Sequence, residues 1–230
     1  MSAEPAVSAA PYVPEGAGLD QLRKAARDCH GCHLYENATQ TVFSRGPASS
    51  PVVFVGEQPG DIEDRRGEPI VGPAGKLLDK AVADAGLDPA QIYTTNAVKH
   101  FKFRMSAPGK RRIHASPDAL EMAACRPWLV AEFAVLDPRV VVALGAVAGR
   151  ALFGSAFRVT RSRGVLLPWP ASASSPADFG GSAEAPDDDS TASAYALATL
   201  HPSAVLRADN RDEAYAGLVA DLSVVAAAVG

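Results

Sequence analysis

The chain has 230 residues, 47% of them hydrophobic and 21% charged, with a formal net charge of −4. That balance excludes a wholly disordered chain, and no apolar run nears the roughly 18 residues that a membrane span needs. Met1 to Gly18 carries neither the basic nor the apolar region of a secretory signal, so a cytoplasmic location is the expectation.

In chain order, residues 1–17 read as a flexible tail and 18–230 as one domain. Leu19 to Asp28 reads as a short helix. Pro51 to Gly56 is a brief apolar run bounded by Pro and Gly, a buried strand. Pro73 to Ala85 has helical spacing, with Gly86 as a stop. Gln91 to Thr95 is a second strand. Pro117 to Leu136 is helical, opened by Ser116 and Pro117 as cap and first-turn proline. Arg139 to Leu144 is a third strand, followed by a helix over 146–153. Phe157 to Trp169 suggests a hairpin around Arg163-Gly164, and residues 171–194 form a low-complexity insertion too poor in apolar side chains to order itself. Tyr195 to Leu200 is a fourth strand and Arg211 to Val229 a closing helix. Strands alternating with helices imply an α/β fold: a small four-stranded parallel sheet flanked by helices, in a single domain.

Charge is distributed unevenly. Residues 1–20 and 171–194 together hold eight acids and no base, which leaves 22 bases against 18 acids elsewhere. Lys99 to Arg112 holds six bases and no acid, interleaved with Phe101 and Phe103, and Arg158, Arg161 and Arg163 form a second cluster. Such clusters on an acidic chain suit a polyanionic partner.

In an open α/β sheet, function gathers where strands end. The first strand ends in Gly56-Glu-Gln-Pro-Gly-Asp61, the second in Asn96-Ala-Val-Lys-His100, the fourth in His201-Pro-Ser203. This turn is neither a Walker loop nor a dinucleotide fingerprint. The three cysteines are Cys29, Cys32 and Cys125. The Cys29-x-x-Cys32 pair closes a helix instead of opening one, which favours metal ligation over dithiol redox chemistry. A fourth ligand would come from His30, His33 or His100; spacing admits zinc or an iron–sulfur cluster.

The string VGEQPGDIEDRRGEPIVGPAGKLLD (55–79) resembles the first motif of the uracil-DNA glycosylase superfamily, most of all its iron–sulfur, family-four branch. Cys29-x-x-Cys32, Tyr93-Thr-Thr-Asn-Ala-Val-Lys99, Ala124-Cys125-Arg-Pro127, Val142-Ala-Leu-Gly145 and His201-Pro-Ser203 follow in the family's order. Two departures are similar to the X-type uracil-DNA glycosylases, which attach covalently to uracil-DNA. His100 stands where the family has cysteine, and the loop before Cys125 is longer and carries Lys110-Arg-Arg-Ile-His114. The resemblance implies a 4Fe–4S cluster held by Cys29, Cys32, His100 and Cys125. It assigns the flipped-base pocket to Gly56, Gln58, Gly60, Asp61, Asn96, Ser203 and His201. Ile70 replaces the aromatic on which uracil stacks in the family.

From that resemblance, Asn96 is expected to read the uracil edge and His201 to donate to uracil O2 as negative charge develops there. His114 is expected to attack the sugar, with Glu57 holding its tautomer. Lys110, Arg111 and Arg112 are expected on phosphate. The expected partner is uracil-containing DNA, single-stranded at least as well as double-stranded, bound by a monomer that joins the nucleoid through its DNA. Two alternatives compete: a hydrolytic glycosylase that releases uracil with turnover, and a non-catalytic iron–sulfur DNA-binding module.

Overall fold

Three of the apolar runs become strands buried over their whole length: β2 (Val52–Gly56), β3 (Ile92–Asn96) and β6 (Val140–Leu144). Burial on both faces is what the near-continuous Val-rich runs of β2 and β6 require of a parallel sheet, and β3 (Ile-Tyr-Thr-Thr-Asn) is buried beside β2. The computed structural model describes residues 7–107, 110–169 and 194–230. The remaining strands are β1 (Ser44–Arg45), β4 (Phe103–Met105), β5 (Arg112–His114), β7 (Leu167–Trp169) and β8 (Ala194–Thr199). The helices are α1 (Leu19–Ala26), α2 (Asp61–Arg66), α3 (Pro73–Asp84), α4 (Ala119–Phe133), α5 (Gly145–Phe153), α6 (Val159–Ser162), α7 (Pro202–Leu206) and α8 (Arg211–Val229).

The main sheet runs β1-β3-β2-β6-β8-β7. Its four central strands are parallel, as expected, and short antiparallel strands are added at both edges. Those edges have too few residues to show a hydrophobic period, so the sheet has six strands rather than four. The β2–β3 register sets Gly56 beside Asn96. The chain passes from β2 to β3 on one side and then crosses back over β2 to β6 on the other, so the strand order reverses beside β2, the place where open α/β sheets form a crevice at the strands' C-terminal ends. One core packs Val53, Val55 and Tyr93 with α1, α4 and α5, and includes all three cysteines. The other packs Val52, Phe54 and Val142 with α3, α7 and α8.

Four expectations need correction or placement. The hairpin around Arg163-Gly164 does not form: α6 takes its first half, and β7 pairs with β8. Arg163 is drawn instead to Asp221 on α8, with Nε at 3.0 Å from Oδ2. The cap of α4 is Asp118 and not Ser116, because Asp118 Oδ1 accepts from Leu120 and Glu121 N–H while Glu121 Oε2 accepts from Asp118 N–H. Part of the expected tail is packed, since Ala9 is buried and its N–H donates to Ala124 O at 2.7 Å. The insertion at 171–194 lies outside the described residues, except for Ala194 at the start of β8.

Candidate active site

The crevice floor is the turn after β2. A side-chain carbon on Gly56 would lie 2.2 Å from Asn96 Oδ1 and 3.3 Å from Ile70 Cδ1, so only glycine lets these two side chains meet there. Asn96 is buried, and its Nδ2 has no hydrogen-bond partner among the described residues. A buried amide without a partner is costly unless a ligand completes it. Ile70 has φ +53°, an uncommon conformation for a β-branched residue. Glu63 holds it there: Oε1 accepts from Val71 N–H (3.0 Å) and Gly72 N–H (2.8 Å), and Oε2 from Gly60 N–H (3.1 Å). Backbone strain kept by such over-determination marks a site.

Over the crevice stands the β4–β5 hairpin, which the sequence did not reveal. Phe103 pairs with His114 across it. Gln58 clamps its base: Oε1 accepts from Lys102 N–H (3.0 Å), and Nε2 donates to Lys102 O (3.1 Å) and Ala115 O (3.0 Å). The same Nε2 lies 3.0 Å from His114 Nε2. Both Nε2 protons of Gln58 have carbonyl acceptors, so this contact fixes the position of the His114 ring and does not assign its proton. Glu57 Oε1 is buried, has no hydrogen-bond partner among the described residues, and lies 3.8 Å from His114 Nε2. At 3.8 Å Glu57 Oε1 is beyond hydrogen-bond distance of His114 Nε2, and the side chain in direct contact with that nitrogen is Gln58.

Arg112 locks the hairpin to α2. It binds Asp61 Oδ1 and Asp64 Oδ2 (2.7 Å), and its guanidinium lies 5.4 Å and 5.0 Å from the rings of Phe101 and Phe103. That pairs Arg112 and Asp61 with each other, where contacts with phosphate and with substrate are expected of them. Lys99 and Lys102 are likewise paired, with Glu132 and with Glu121. Arg104, Lys110 and Arg111 remain exposed. In the second cluster, Arg163 is paired with Asp221 and Arg158 with main-chain carbonyls, while Arg161 is exposed. The basic footprint is narrower than the charge count implied.

His201 caps α7. Its Nδ1 accepts from Ser203 N–H at 3.1 Å, which places the neutral ring's proton on Nε2. Burial pushes its pKa down from 6.5 to about 4, helped by the nearby His114 and Arg207 charges. At neutral pH it is an uncharged Nε2–H donor. Gly145 has φ +90°, and a side-chain carbon on it would lie 2.9 Å from His201 Cβ, so the end of β6 also needs glycine.

Cys29, Cys32, Cys125 and His100 are all buried. Burial pushes the Cys125 thiol up to about 12, and the neighbouring Cys32 and Cys29 add to the rise. Trp128 Nε1–H donates to Cys29 Sγ (3.2 Å) and Lys99 N–H to Cys125 Sγ (3.3 Å), contacts that suit thiolates. Thr41 gives its hydroxyl proton to Ala26 O (2.8 Å) and lies 2.9 Å from His100 Nε2, so it accepts there and leaves the His100 Nδ1 lone pair free. Of the other histidines, His30 is exposed and stacked on Tyr35, and His33 is exposed and paired with Glu121. Among the described residues no three His, Cys, Asp or Glu side chains converge on the volume of a single ion. Three thiols and an imidazole with a free Nδ1 lone pair are donor types that both zinc and iron–sulfur clusters accept.

Thr41, Trp128 and Glu132 support the site and escaped the sequence reading, which took in Glu63, Asp64 and Tyr93 only as members of motifs. Only Glu63 left a local signal, its spacing three residues after the Gly60 cap.

Comparison with known proteins agrees with this geometry. Residues 43–223 match the family model described as "Uracil DNA glycosylase superfamily". The chain is 34% identical over 152 residues to the Type-4 uracil-DNA glycosylase of Thermotoga maritima, covering 66% of this chain and 74% of that protein. It is 32% identical to that of Sulfurisphaera tokodaii, covering 66% and 67%, and 36% identical to that of Archaeoglobus fulgidus, covering 59% and 63%. The family model spans most of the chain and the parallel-centred sheet is consistent with it: the chain belongs to the uracil-DNA glycosylase superfamily.

Proposed function

We propose that this protein recognises uracil in DNA and excises it with His114 as the nucleophile, so that the deoxyribose ends covalently attached to the protein. The observation that carries the reading is the placement of His114 Nε2, 3.0 Å from Gln58 Nε2 and 3.8 Å from Glu57 Oε1. The base leaves its stack, at a cost lowest in single strands, and enters beside Gly56, Ile70 and Asn96. Asn96 supplies the donor and acceptor that match uracil O4 and N3–H. His114 Nε2 bonds to C1′ as the C1′–N1 bond breaks. The bonding pair passes into the uracil ring, where the His201 Nε2–H meets the charge growing on O2. The alkylated imidazole is cationic until Nδ1 loses its proton to solvent, and the Glu57 carboxylate offsets that charge. Lys110 and Arg111 hold phosphate.

Cys29, Cys32 and Cys125 through Sγ and His100 through Nδ1 would hold a 4Fe–4S cluster, which when bound cross-links the segments that carry them. The reaction transfers no electron between protein and DNA, so that role is structural.

A second reading is hydrolysis with turnover, favoured by the similarity to Type-4 uracil-DNA glycosylases and by a His114 ring exposed enough to admit water. Mixing the protein with uracil-containing single-stranded DNA and running a denaturing gel separates the two. The proposal expects a heat- and detergent-stable protein–DNA band. Free uracil released over many turnovers with no such band selects hydrolysis. No uracil release and no band leaves a binding module.

A further inference from the structure

Lys99 is fully buried, and the chemistry above does not use it. An ammonium in that position has three protons to place, and here each has an acceptor. They go to Glu132 Oε2, to Thr95 Oγ1 and to Asn96 O at 2.9 Å. Glu132 is itself buried and fixed by the Tyr93 hydroxyl, which donates to Oε1 at 2.7 Å. Thr95 is fixed too, since its hydroxyl donates to Phe43 O at 3.2 Å. The Lys99 main chain is pinned from the other side by its N–H contact with Cys125 Sγ at 3.3 Å.

Asn96 is the last residue of β3, where the ladder ends and the chain turns. Ala97 N–H bonds to Gly56 O at 2.9 Å, which ties the turn to β2. The carbonyl of that same peptide unit, Asn96 O, is the one that Lys99 holds. The two bonds fix both polar groups of the peptide plane that follows the Asn96 α-carbon, and with it the base from which the side chain projects, whose Nδ2 has no hydrogen-bond partner among the described residues.

A buried ion pair is a weak source of stability, since well-packed apolar residues often replace one at no loss. Its presence under the Asn96 peptide is better accounted for by geometry. We propose that Lys99 is the positioning residue for the base-reading Asn96, through the Nζ–H···O=C bond to its carbonyl. The inference rests on the reading of Asn96 as the group that takes the uracil edge.

The test replaces the pair by apolar side chains, Lys99→Met with Glu132→Met, in wild-type and Asn96→Ala backgrounds. The folded fraction is followed by thermal melting and by binding to uracil-free DNA. Single-turnover reaction with uracil-containing single-stranded DNA is the second readout. Misplacing a reacting group by about 1 Å costs on the order of a hundredfold. The double replacement should lower the rate by roughly tenfold to a hundredfold in the wild-type background. It should lower it little further where Asn96 is already gone, with melting and uracil-free binding kept. Equal losses in both backgrounds, or none, overturn the proposal. An Asn96→Ala protein as active as wild type overturns the reading of Asn96 itself, a different failure. If the apolar pair does not fold, Lys99→Arg keeps the charge beside Glu132 while its planar fork cannot serve three acceptors set for an ammonium. The same background-dependent loss is expected of it, and full activity would overturn the proposal.

Discussion

Gln58 Nε2 sits 3.0 Å from His114 Nε2, and the same amide group binds the main chain of both hairpin strands. One side chain from the end of β2 thus joins the sheet, the hairpin base and the candidate nucleophile. Gln58→Ala should slow adduct formation by about two orders of magnitude, as expected when a group that orients the attacker is lost. It should also leave partly buried main-chain groups of Lys102 and Ala115 without their partner, at a cost of up to about 1–3 kcal/mol. Single-turnover kinetics and urea melts check both, and an unchanged rate would show that the hairpin holds His114 unaided.

His114→Ala should abolish the heat-stable adduct without abolishing uracil release. Asn96 and His201 would still bind and polarise the base, and water would enter the vacated place beside Glu57. Peptide mapping of the nuclease-trimmed adduct of the wild-type protein should find the sugar-phosphate mass on His114; the mass on any other residue sinks the assignment.

Arg111 and Arg112 are neighbours in sequence with opposite expected roles. Arg111→Ala should lower the salt slope of DNA binding by roughly one. Arg112→Ala should leave the slope unchanged and destabilise the protein by about 3 kcal/mol, because the fully buried Asp64 loses its countercharge. Binding titrations across a salt series, paired with melts, tell the two apart.

The His201 pKa, pushed down by burial from 6.5 to about 4, makes stability pH-dependent with a definite sign. The unfolded chain takes up this proton first as pH falls. The contribution of His201 is therefore fully present above about pH 6.5, declines at up to about 1.4 kcal/mol per pH unit, and is gone below about pH 4. His201→Gln should flatten this part of a melting-temperature profile, and a variant with the same acid slope as wild type would refute it.

Purified protein should be coloured by thiolate-ligated iron, and Cys125→Ala should lose both colour and iron. Colourless protein with stoichiometric zinc would reject the cluster.

Much of the architecture was legible from residue pattern. The runs that became β2 and β6 are apolar enough to demand burial on both faces, and β3 and β8 are rich in the β-branched, aromatic and small apolar residues that pack beside them. The placing of Gly56, Asn96 and His201 at one rim follows from strands that run parallel. The hairpin was not legible: Phe103 to Met105 and Arg112 to His114 are too short to show alternation, and they are anchored from elsewhere in the chain by Gln58 and by Asp61 and Asp64, which bind Arg112. Charge misled for a related reason. Lys99 and Arg112 look like surface bases in a run without acids, yet Glu132, Asp61 and Asp64 reach them from other elements. Residue type and local spacing determined which strands form and which ends carry chemistry. Which bases face solvent, which histidine nitrogen holds its proton and which carboxylate lacks a partner were decided by contacts between segments distant in sequence, and only the tertiary structure brings those together.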